Sequence, residues 1–135
     1  MSTLAINTIS GQTAANSVVV TGEGGTNTTS LQQGLAKCWA EIDMTGTAAN
    51  NDSFNIASFT DAGVGAFNLV ISSNMANANY CFSVGFNNQA SDASGFLKSV
   101  GASSKITGQI NMGKKENGSA VDCDINCTTI HGDLA

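Results

Sequence analysis

Two-residue alternation of apolar and polar side chains is the feature that most restricts how this chain folds. The cleanest run covers residues 121–129, where an apolar-leaning set alternates with acids, Asn126 and Thr128. That set is Val121, Cys123, Ile125, Cys127 and Thr129. Because successive strand side chains point to opposite faces of a sheet, the pattern predicts a half-buried strand. We expect the set that includes Val121 to face the core and the acids to face solvent.

Shorter runs with the same period occur earlier, at residues 35–44, 53–60, 67–71, 80–86 and 106–112. In the second of these, Phe54 and Ile56 are expected on one face. The parity then changes at Phe59, which predicts a β-bulge near Ala57-Ser58. No segment sustains a helical period, and only Ser30 to Lys37 fits a short helical turn.

Turns rich in glycine and asparagine separate these runs, and residues 87–104 have the composition of a long loop. The strongest hairpin signal is Asn117-Gly118. Six strands with this spacing predict an all-β fold. The expected architecture is an antiparallel β-sandwich or small jelly-roll-like barrel with an extended N-terminal arm.

The composition changes near residue 30, and this change predicts two parts. Residues 1–30 are rich in Ser, Thr, Asn and Gly and cannot build a core of their own. We expect them to form an extended anchoring arm, with residues 31–135 forming the β-sandwich domain. The arm's apolar residues are the candidate anchoring positions: Leu4, Ile6, Ile9, Val18, Val19 and Val20. The alternative is that these segments are edge strands of the same domain.

Charge restricts the partners. Only 11% of residues are charged, Arg and Pro are absent, and the net charge is −5. A nucleic-acid partner needs a basic stripe, so none is expected. No run of about 18 apolar residues occurs, so we expect no membrane insertion. Residues 1–4 lack a basic, apolar leader, which predicts synthesis in a cytosol. Sparse charge leaves strand edges open to pairing, which favours an oligomer.

Catalytic, cofactor and metal sites are not expected. The only His, His131, follows Cys123 and Cys127 at four-residue spacing. On a strand, residues four apart are separated by roughly 13 Å, too far to share one metal ion. No Gly-x-Ser-x-Gly elbow is present. With no leader, the four cysteines are expected to be buried free thiols.

Trp39 is the only Trp, and its strand neighbours on the same face are Lys37, Glu41 and Asp43. A Trp among polar residues is a candidate interface anchor or glycan contact. The alternative is a covered core position, if the strand parity shifts by one residue.

Several ordered motifs resemble a pattern of tailed-bacteriophage tail-fibre-type virion proteins. They are A-K-C-W at 36–39, I-D-M-T-G-T at 42–47, D-S-F-N-I-A-S-F-T-D at 52–61, G-V-G-A-F at 63–67 and M-A-N-A-N-Y at 75–80. The resemblance covers residues 31–86. Met44 stands where that family usually has Gly, and the family's Pro near Asn77 is absent.

The resemblance implies a non-catalytic β-sandwich module of a virion, made in the host bacterial cytoplasm. It implies a short tail fibre, fibre tip or fibre adaptor involved in host attachment. A homotrimer is expected, joined to other virion proteins through the arm, with a host cell-surface glycan or protein as a further partner. The alternatives are a head decoration or capsid fibre protein and a carbohydrate-binding, lectin-like module. An enzyme such as a depolymerase is the least favoured reading.

Overall fold

β-Structure dominates the computed structural model, which describes residues 3–14, 17–87, 96–97, 105–116 and 119–135. The chain divides into two compact units, Met1–Leu35 and Ala36–Ala135.

The N-terminal unit contains a short hairpin and one helical turn. Strands β1 (Val19–Thr21) and β2 (Thr28–Ser30) pair in antiparallel fashion. The turn between them contains Gly24 and Gly25, both at positive φ, which glycine adopts without steric penalty. Helix α1 (Leu31–Gly34) follows at once and confirms the predicted helical turn. The Ser30 side chain caps it by accepting a hydrogen bond from the Gln33 backbone N–H at 3.4 Å.

The second unit is built from ten strands among its described residues. They are β3 (Cys38–Asp43), β4 (Ala49–Phe54), β5 (Ile56–Asp61), β6 (Ala66–Ile71), β7 (Cys81–Asn87), β8 (Phe96–Leu97), β9 (Lys105–Ile106), β10 (Gln109–Glu116), β11 (Ser119–Ala120) and β12 (Ile125–His131).

These strands form two antiparallel sheets. The four-stranded sheet has the order β4-β3-β12-β7. The six-stranded sheet has the order β11-β10-β6-β5, with β8 and β9 also paired to β10. One hydrophobic cluster contains side chains from both sheets. The predicted all-β, antiparallel, sandwich-like fold is therefore confirmed.

The core confirms the predicted parity of two strands. Cys38, Ala40 and Ile42 of β3 are buried, as are Phe67, Leu69 and Ile71 of β6. The remaining buried apolar members of the cluster are Met44, Met75, Tyr80, Ile110, Met112 and Ile130. Burying each large apolar side chain contributes about 1.5–3 kcal/mol, so these positions dominate the stability of the sandwich.

Asn55 separates two strands where the sequence predicts one run. It has φ 58°, a left-handed conformation that asparagine tolerates better than most residues. Its side-chain amide donates to the Lys37 carbonyl at 2.9 Å, and its side-chain oxygen accepts from the Ser73 N–H at 2.8 Å. The chain therefore leaves the four-stranded sheet at Phe54 and enters the six-stranded sheet at Ile56.

This break corrects the expectation that Phe54 and Ile56 share a face. Phe54 is exposed, whereas Ile56 packs against the core. The predicted bulge is confirmed, because the β5–β6 register shifts between Ile56 and Ser58.

The predicted facing of β12 is wrong. Ile125 and Cys127 are exposed, and the buried side chains are Asn126, Thr128 and Ile130. The strand begins only at Ile125, after a bend at Asp124, so the parity counted from Val121 does not carry through. Cys123 is buried as expected, but from the segment that precedes the strand.

Hydrogen bonds satisfy the polar side chains that β12 buries against the core. The Asn126 side-chain amide donates to the carbonyls of Ile42 at 2.9 Å and Cys123 at 3.0 Å. The Cys123 thiol donates to the Asn126 side-chain oxygen at 2.8 Å. The Thr128 hydroxyl donates to the Ser83 carbonyl at 3.3 Å. Buried polar groups are tolerated when they are satisfied in this way.

Two expectations fall on residues outside the described part. Asn117-Gly118 lies there, although the flanking strands β10 and β11 do pair, with Glu116 opposite Ser119. The predicted loop 87–104 also lies there for the most part, except for β8 and the start at Asn87.

The four cysteines are free, but only Cys38 and Cys123 are buried; Cys81 and Cys127 are exposed. Cys81 of β7 lies directly opposite His131 of β12, and His131 is four residues along β12 from Cys127. The two exposed thiols are therefore more than about 13 Å apart and cannot form a disulfide within the chain.

We expect iodoacetamide at pH 8 to label Cys81 and Cys127 rapidly and the other two cysteines only after unfolding. Peptide mass spectrometry measures this, and rapid labelling of Cys123 would contradict it.

Alkaline pH should destabilise the sandwich through two buried acids. Burial, with a smaller contribution from Cys38, raises the pKa of Tyr80 from 10.0 to about 12. Burial also raises the pKa of Cys38 from 9.0 to about 11. The Tyr80 hydroxyl donates to the carbonyls of Ile106 and Gln109, bonds that favour the protonated phenol.

Because both groups hold their protons more tightly when folded, the stability they contribute is complete below their ordinary pKa values. It is lost as the pH rises through the folded values, so the expected window is pH 9 to 12. Urea unfolding measured at steps across this window should give a falling free energy of unfolding. Tyr80→Phe should reduce the slope, and an unchanged slope in that variant would contradict the assignment to Tyr80.

Candidate functional site

The outer face of the four-stranded sheet, the side away from the core, is the candidate site. We define it by two rows of cross-strand neighbours. The first row is Phe54, Trp39, Thr129 and Ser83, and the second is Asp52, Glu41, Cys127 and Gly85. Directly opposed residues point to the same face of a sheet, so each row crosses all four strands.

Trp39 lies outward because its strand neighbours Cys38 and Ala40 are buried in the core. It is 36% exposed, and Phe54, directly opposite on β4, is 54% exposed. Two large aromatic side chains therefore stand side by side on a solvent-facing sheet. Trp39 is therefore not a covered core residue, which was the alternative interpretation of its position.

The sequence pattern predicts that Lys37 is exposed on the same face as Trp39, but the structure buries it. It is 4% exposed and precedes β3, with its backbone N–H bonded to the Ile130 carbonyl at 2.7 Å. Burial lowers the pKa of Lys37, and the charge of Asp133 partly opposes this. The second row contains two acidic residues and no Lys or Arg.

Two carboxylates lie next to the aromatic pair, because Glu41 and Asp52 oppose one another two residues along β3 and β4. The β3–β4 register shifts immediately after this pair. Within the shift, the Asn51 side-chain amide donates to Glu41 Oε1 at 3.5 Å. Asp43, farther along β3, accepts bonds from the Thr45 N–H and hydroxyl at 2.7 Å each, and these bonds lower its pKa.

Thr129, Ser83 and Gly85 complete the face toward β7. Ser83 and Gly85 are exposed, and Thr129 is half-buried. A Cβ built on Gly85 meets nothing within 4 Å, so packing within the described chain does not require glycine there. The far half of the outer face is consequently flat and carries two hydroxyl groups.

Sequence reasoning selected Trp39 but missed Phe54, Thr129 and Gly85. Thr129 was expected to face the core, and Phe54 was expected on the same face as Ile56. The signal for Phe54 was the following residue, because Asn55 is among the few residue types that adopt positive φ and interrupt a strand. Nothing in the alternation of residues 121–129 marked the later start of β12.

The arm positions lie in the N-terminal unit and are largely exposed. Leu4 is 79% exposed, and Ile6, Ile9, Val19 and Val20 are each at least half exposed. Val18 is half-buried. Only Val19 and Val20 belong to a strand; residues 4–9 have no regular structure.

Metal and membrane features can be examined over the described residues. Within those ranges, no group of three His, Cys, Asp or Glu side chains is arranged to hold a metal ion. Cys127 and His131 stand four residues apart on β12, and Cys123 is buried before it. In the same part of the chain, no helix has the length and apolar character needed to cross a bilayer.

No protein-family model, curated protein or solved structure matches this chain. The exposed arm and the outer face are therefore the features from which its function is inferred.

Proposed function

We propose that this chain is a structural virion protein of a tailed bacteriophage: a short tail fibre, fibre tip or fibre adaptor involved in host attachment. The observation that carries the proposal is the arm of residues 1–30, whose described part exposes five large apolar side chains. They are Leu4, Ile6, Ile9, Val19 and Val20.

The arm needs a partner to bury these side chains. A two-stranded hairpin is marginally stable by itself, and β1 and β2 have three residues each. The arm of residues 1–30 carries a single charged side chain, Glu23, so little opposes its burial in an interface. A segment with few charges and several separate apolar side chains suits docking on a neighbouring subunit by strand addition.

The sandwich supports the same role. The motifs that resemble tail-fibre-type proteins fall mainly on β3 to β6 and the segment before β7, within one antiparallel sandwich. Among the described strands, β4, β7 and β5 lie at sheet edges, the positions from which a strand can pair with another chain. These edges favour assembly, which we propose takes the form of a homotrimer in the virion, with no catalytic residue and no cofactor.

Changing Leu4, Ile6 and Ile9 together to Ser should remove the protein from particles, because the arm loses the apolar surface that its partner covers. Immunoblotting of purified virions measures incorporation, and we expect at least a tenfold loss, corresponding to about 1.4 kcal/mol of binding free energy. The matched control changes Thr3, Asn7 and Thr8 to Ala and should leave incorporation intact.

Normal incorporation of the triple Ser variant would overturn the anchoring role. Incorporation of the wild-type chain into tail-less heads would replace the tail-fibre role with head decoration.

Native mass spectrometry should show three copies of the 13.7 kDa chain, and a monomer would overturn the proposed trimer.

A further inference from the structure

We infer that the outer face of the four-stranded sheet docks an arginine-bearing segment of another protein, whose guanidinium contacts both the aromatic pair and the carboxylate pair. The inference goes beyond the proposed function, because it adds a contact of the sandwich in which the arm takes no part. It stands on three observations: an exposed aromatic pair, two opposed carboxylates in rows that contain no Lys, and a sequence without Arg.

The aromatic pair presents ring surface to solvent. Trp39 and Phe54 lie directly opposite one another on β3 and β4, where side chains are about 5 Å apart. Both side chains are exposed, so a ligand can reach them. The face of an aromatic ring carries partial negative charge and attracts a cation within about 6 Å of its centre, and Trp does so most strongly. A cation is therefore the ligand that this surface attracts beyond ordinary apolar contact.

The carboxylate pair lies one row away and selects the sign of the ligand's charge. Glu41 and Asp52 are directly opposed, about 7 Å along the strands from the aromatic pair. Like charges in opposed positions destabilise a sheet, and neither row contains a Lys that offsets them. A bound cation removes this repulsion, whereas a neutral or anionic ligand does not.

Each carboxylate keeps an oxygen for a ligand. Asp52 Oδ1 accepts a hydrogen bond from the Ser53 N–H at 2.8 Å, and Glu41 Oε1 accepts one from the Asn51 side-chain amide at 3.5 Å. The described part of the chain supplies no other donor to these two side chains. Asp52 is exposed and Glu41 is half-buried. The second oxygen of each is therefore able to accept a hydrogen bond from a bound cation.

Arginine fits this combination better than lysine does. Its guanidinium is planar and stacks on aromatic rings, and its N–H donors form paired hydrogen bonds with carboxylates. It is also less strongly hydrated than the lysine ammonium, so it moves onto a partly apolar surface more easily. Because the two rows are only about 7 Å apart, one arginine side chain stacked on Trp39 also reaches Glu41.

Charge identifies the occupant as another protein. The sequence contains no Arg, so a second copy cannot supply the guanidinium. Each chain also has a net charge of −5, and a face-to-face contact between two copies brings their carboxylate pairs together. Desolvating charges without a counter-ion is strongly unfavourable. A partner with an exposed Arg has the complementary charge.

Trp39 makes the test direct, because it is the only Trp and its fluorescence reports on the site itself. The full chain is titrated with the capped peptide Gly-Ser-Arg-Gly-Arg-Ser-Gly and with versions that carry Lys or the neutral analogue citrulline in place of Arg. We expect the Arg peptide to shift the Trp39 emission saturably, and added NaCl to weaken its binding. The Lys peptide should bind about threefold more weakly, and the citrulline peptide more weakly still.

Variants of the two pairs locate the bound peptide. Asp52→Asn and Glu41→Gln should each weaken binding of the Arg peptide about fivefold, because each removes one charge and keeps the side-chain volume. Phe54→Leu should weaken it about threefold, because leucine is apolar but has no ring face. The matched controls are Asp61→Asn, which removes one charge from β5 in the other sheet, and Val64→Ala in an exposed turn. Both controls should bind as the wild type does, and far-ultraviolet circular dichroism confirms that each variant is folded.

Absence of binding to the Arg peptide would overturn the inference. Equal binding of the Arg and Lys peptides that Phe54→Leu leaves unchanged would also overturn it, because bare attraction to an acidic chain predicts that result. A response to CaCl2 alone that blocks the Arg peptide and is lost in Asp52→Asn would replace arginine with a metal ion. Self-association of the full chain that is lost in Phe54→Leu would replace it with a second copy.

These outcomes are independent of the arm. A chain that joins virions but binds no Arg peptide refutes only this inference. A chain that binds the Arg peptide but joins no virion refutes only the proposed function.

Discussion

Leu69→Ala should lower the free energy of unfolding by about 2–5 kcal/mol, the largest effect expected from a single side chain in this protein. Leu69 is 0% exposed at the centre of β6. Its strand neighbours are Phe59 on β5 and Ile110 on β10, both of which contribute to the same core. Neighbours held by two ladders cannot collapse fully into the space left behind, so part of the cavity remains.

The size of the effect matters because small domains have total stabilities of about 5–15 kcal/mol. Urea unfolding followed by circular dichroism measures the change, read as a lower midpoint at constant slope. Val64→Ala is the matched control, since Val64 is 64% exposed in a turn. It should change stability by less than about 0.5 kcal/mol. Equal effects of the two variants would contradict the assignment of Leu69 to the core.

Two strands show why part of the fold was predictable from the sequence. In β3 and β6 no bend interrupts the alternation within the strand, and every apolar residue in phase with Ile42 or Leu69 is buried. Local side-chain period and sheet geometry then agree, and the period alone identifies the core face.

β12 shows why the rest was not predictable. Its alternation runs through a bend at Asp124, and one residue of displacement moves every side chain to the other face. The burial of Asn126 depends on the Ile42 carbonyl, which is 84 residues away in sequence. A partner that distant leaves no trace in a local pattern.

The candidate site was likewise predictable from the sequence only in part. Trp39 was found because it breaks the polarity of its own strand face. Phe54 and Gly85 join it only through the pairing of β3 with β4 and of β12 with β7. Pairing between strands distant in sequence is a property of the folded topology, so the aromatic pair and the row across four strands emerge only from the structure.

Asn126→Ala should destabilise the sandwich by about 2–4 kcal/mol, even though it replaces a polar side chain with an apolar one in the interior. The Asn126 amide donates to the carbonyls of Ile42 and Cys123, and its oxygen accepts from the Cys123 thiol. Alanine leaves these buried groups without their partner and opens a cavity beside them. Urea unfolding measures the loss of stability.

Asn68→Ala is the matched control, because Asn68 is half-buried on the side of β6 that points away from the core. Its expected effect is below about 0.5–1 kcal/mol. Asn126→Asp separates hydrogen bonding from volume, since an ionised carboxylate has nearly the same size but donates nothing. It should be at least as destabilising as Asn126→Ala at pH 7 and recover part of its stability at pH 4, where protonation restores one donor. Full stability of Asn126→Asp at pH 7 would contradict the assigned hydrogen bonds and the inward facing of Asn126 on which the outer face of β12 depends.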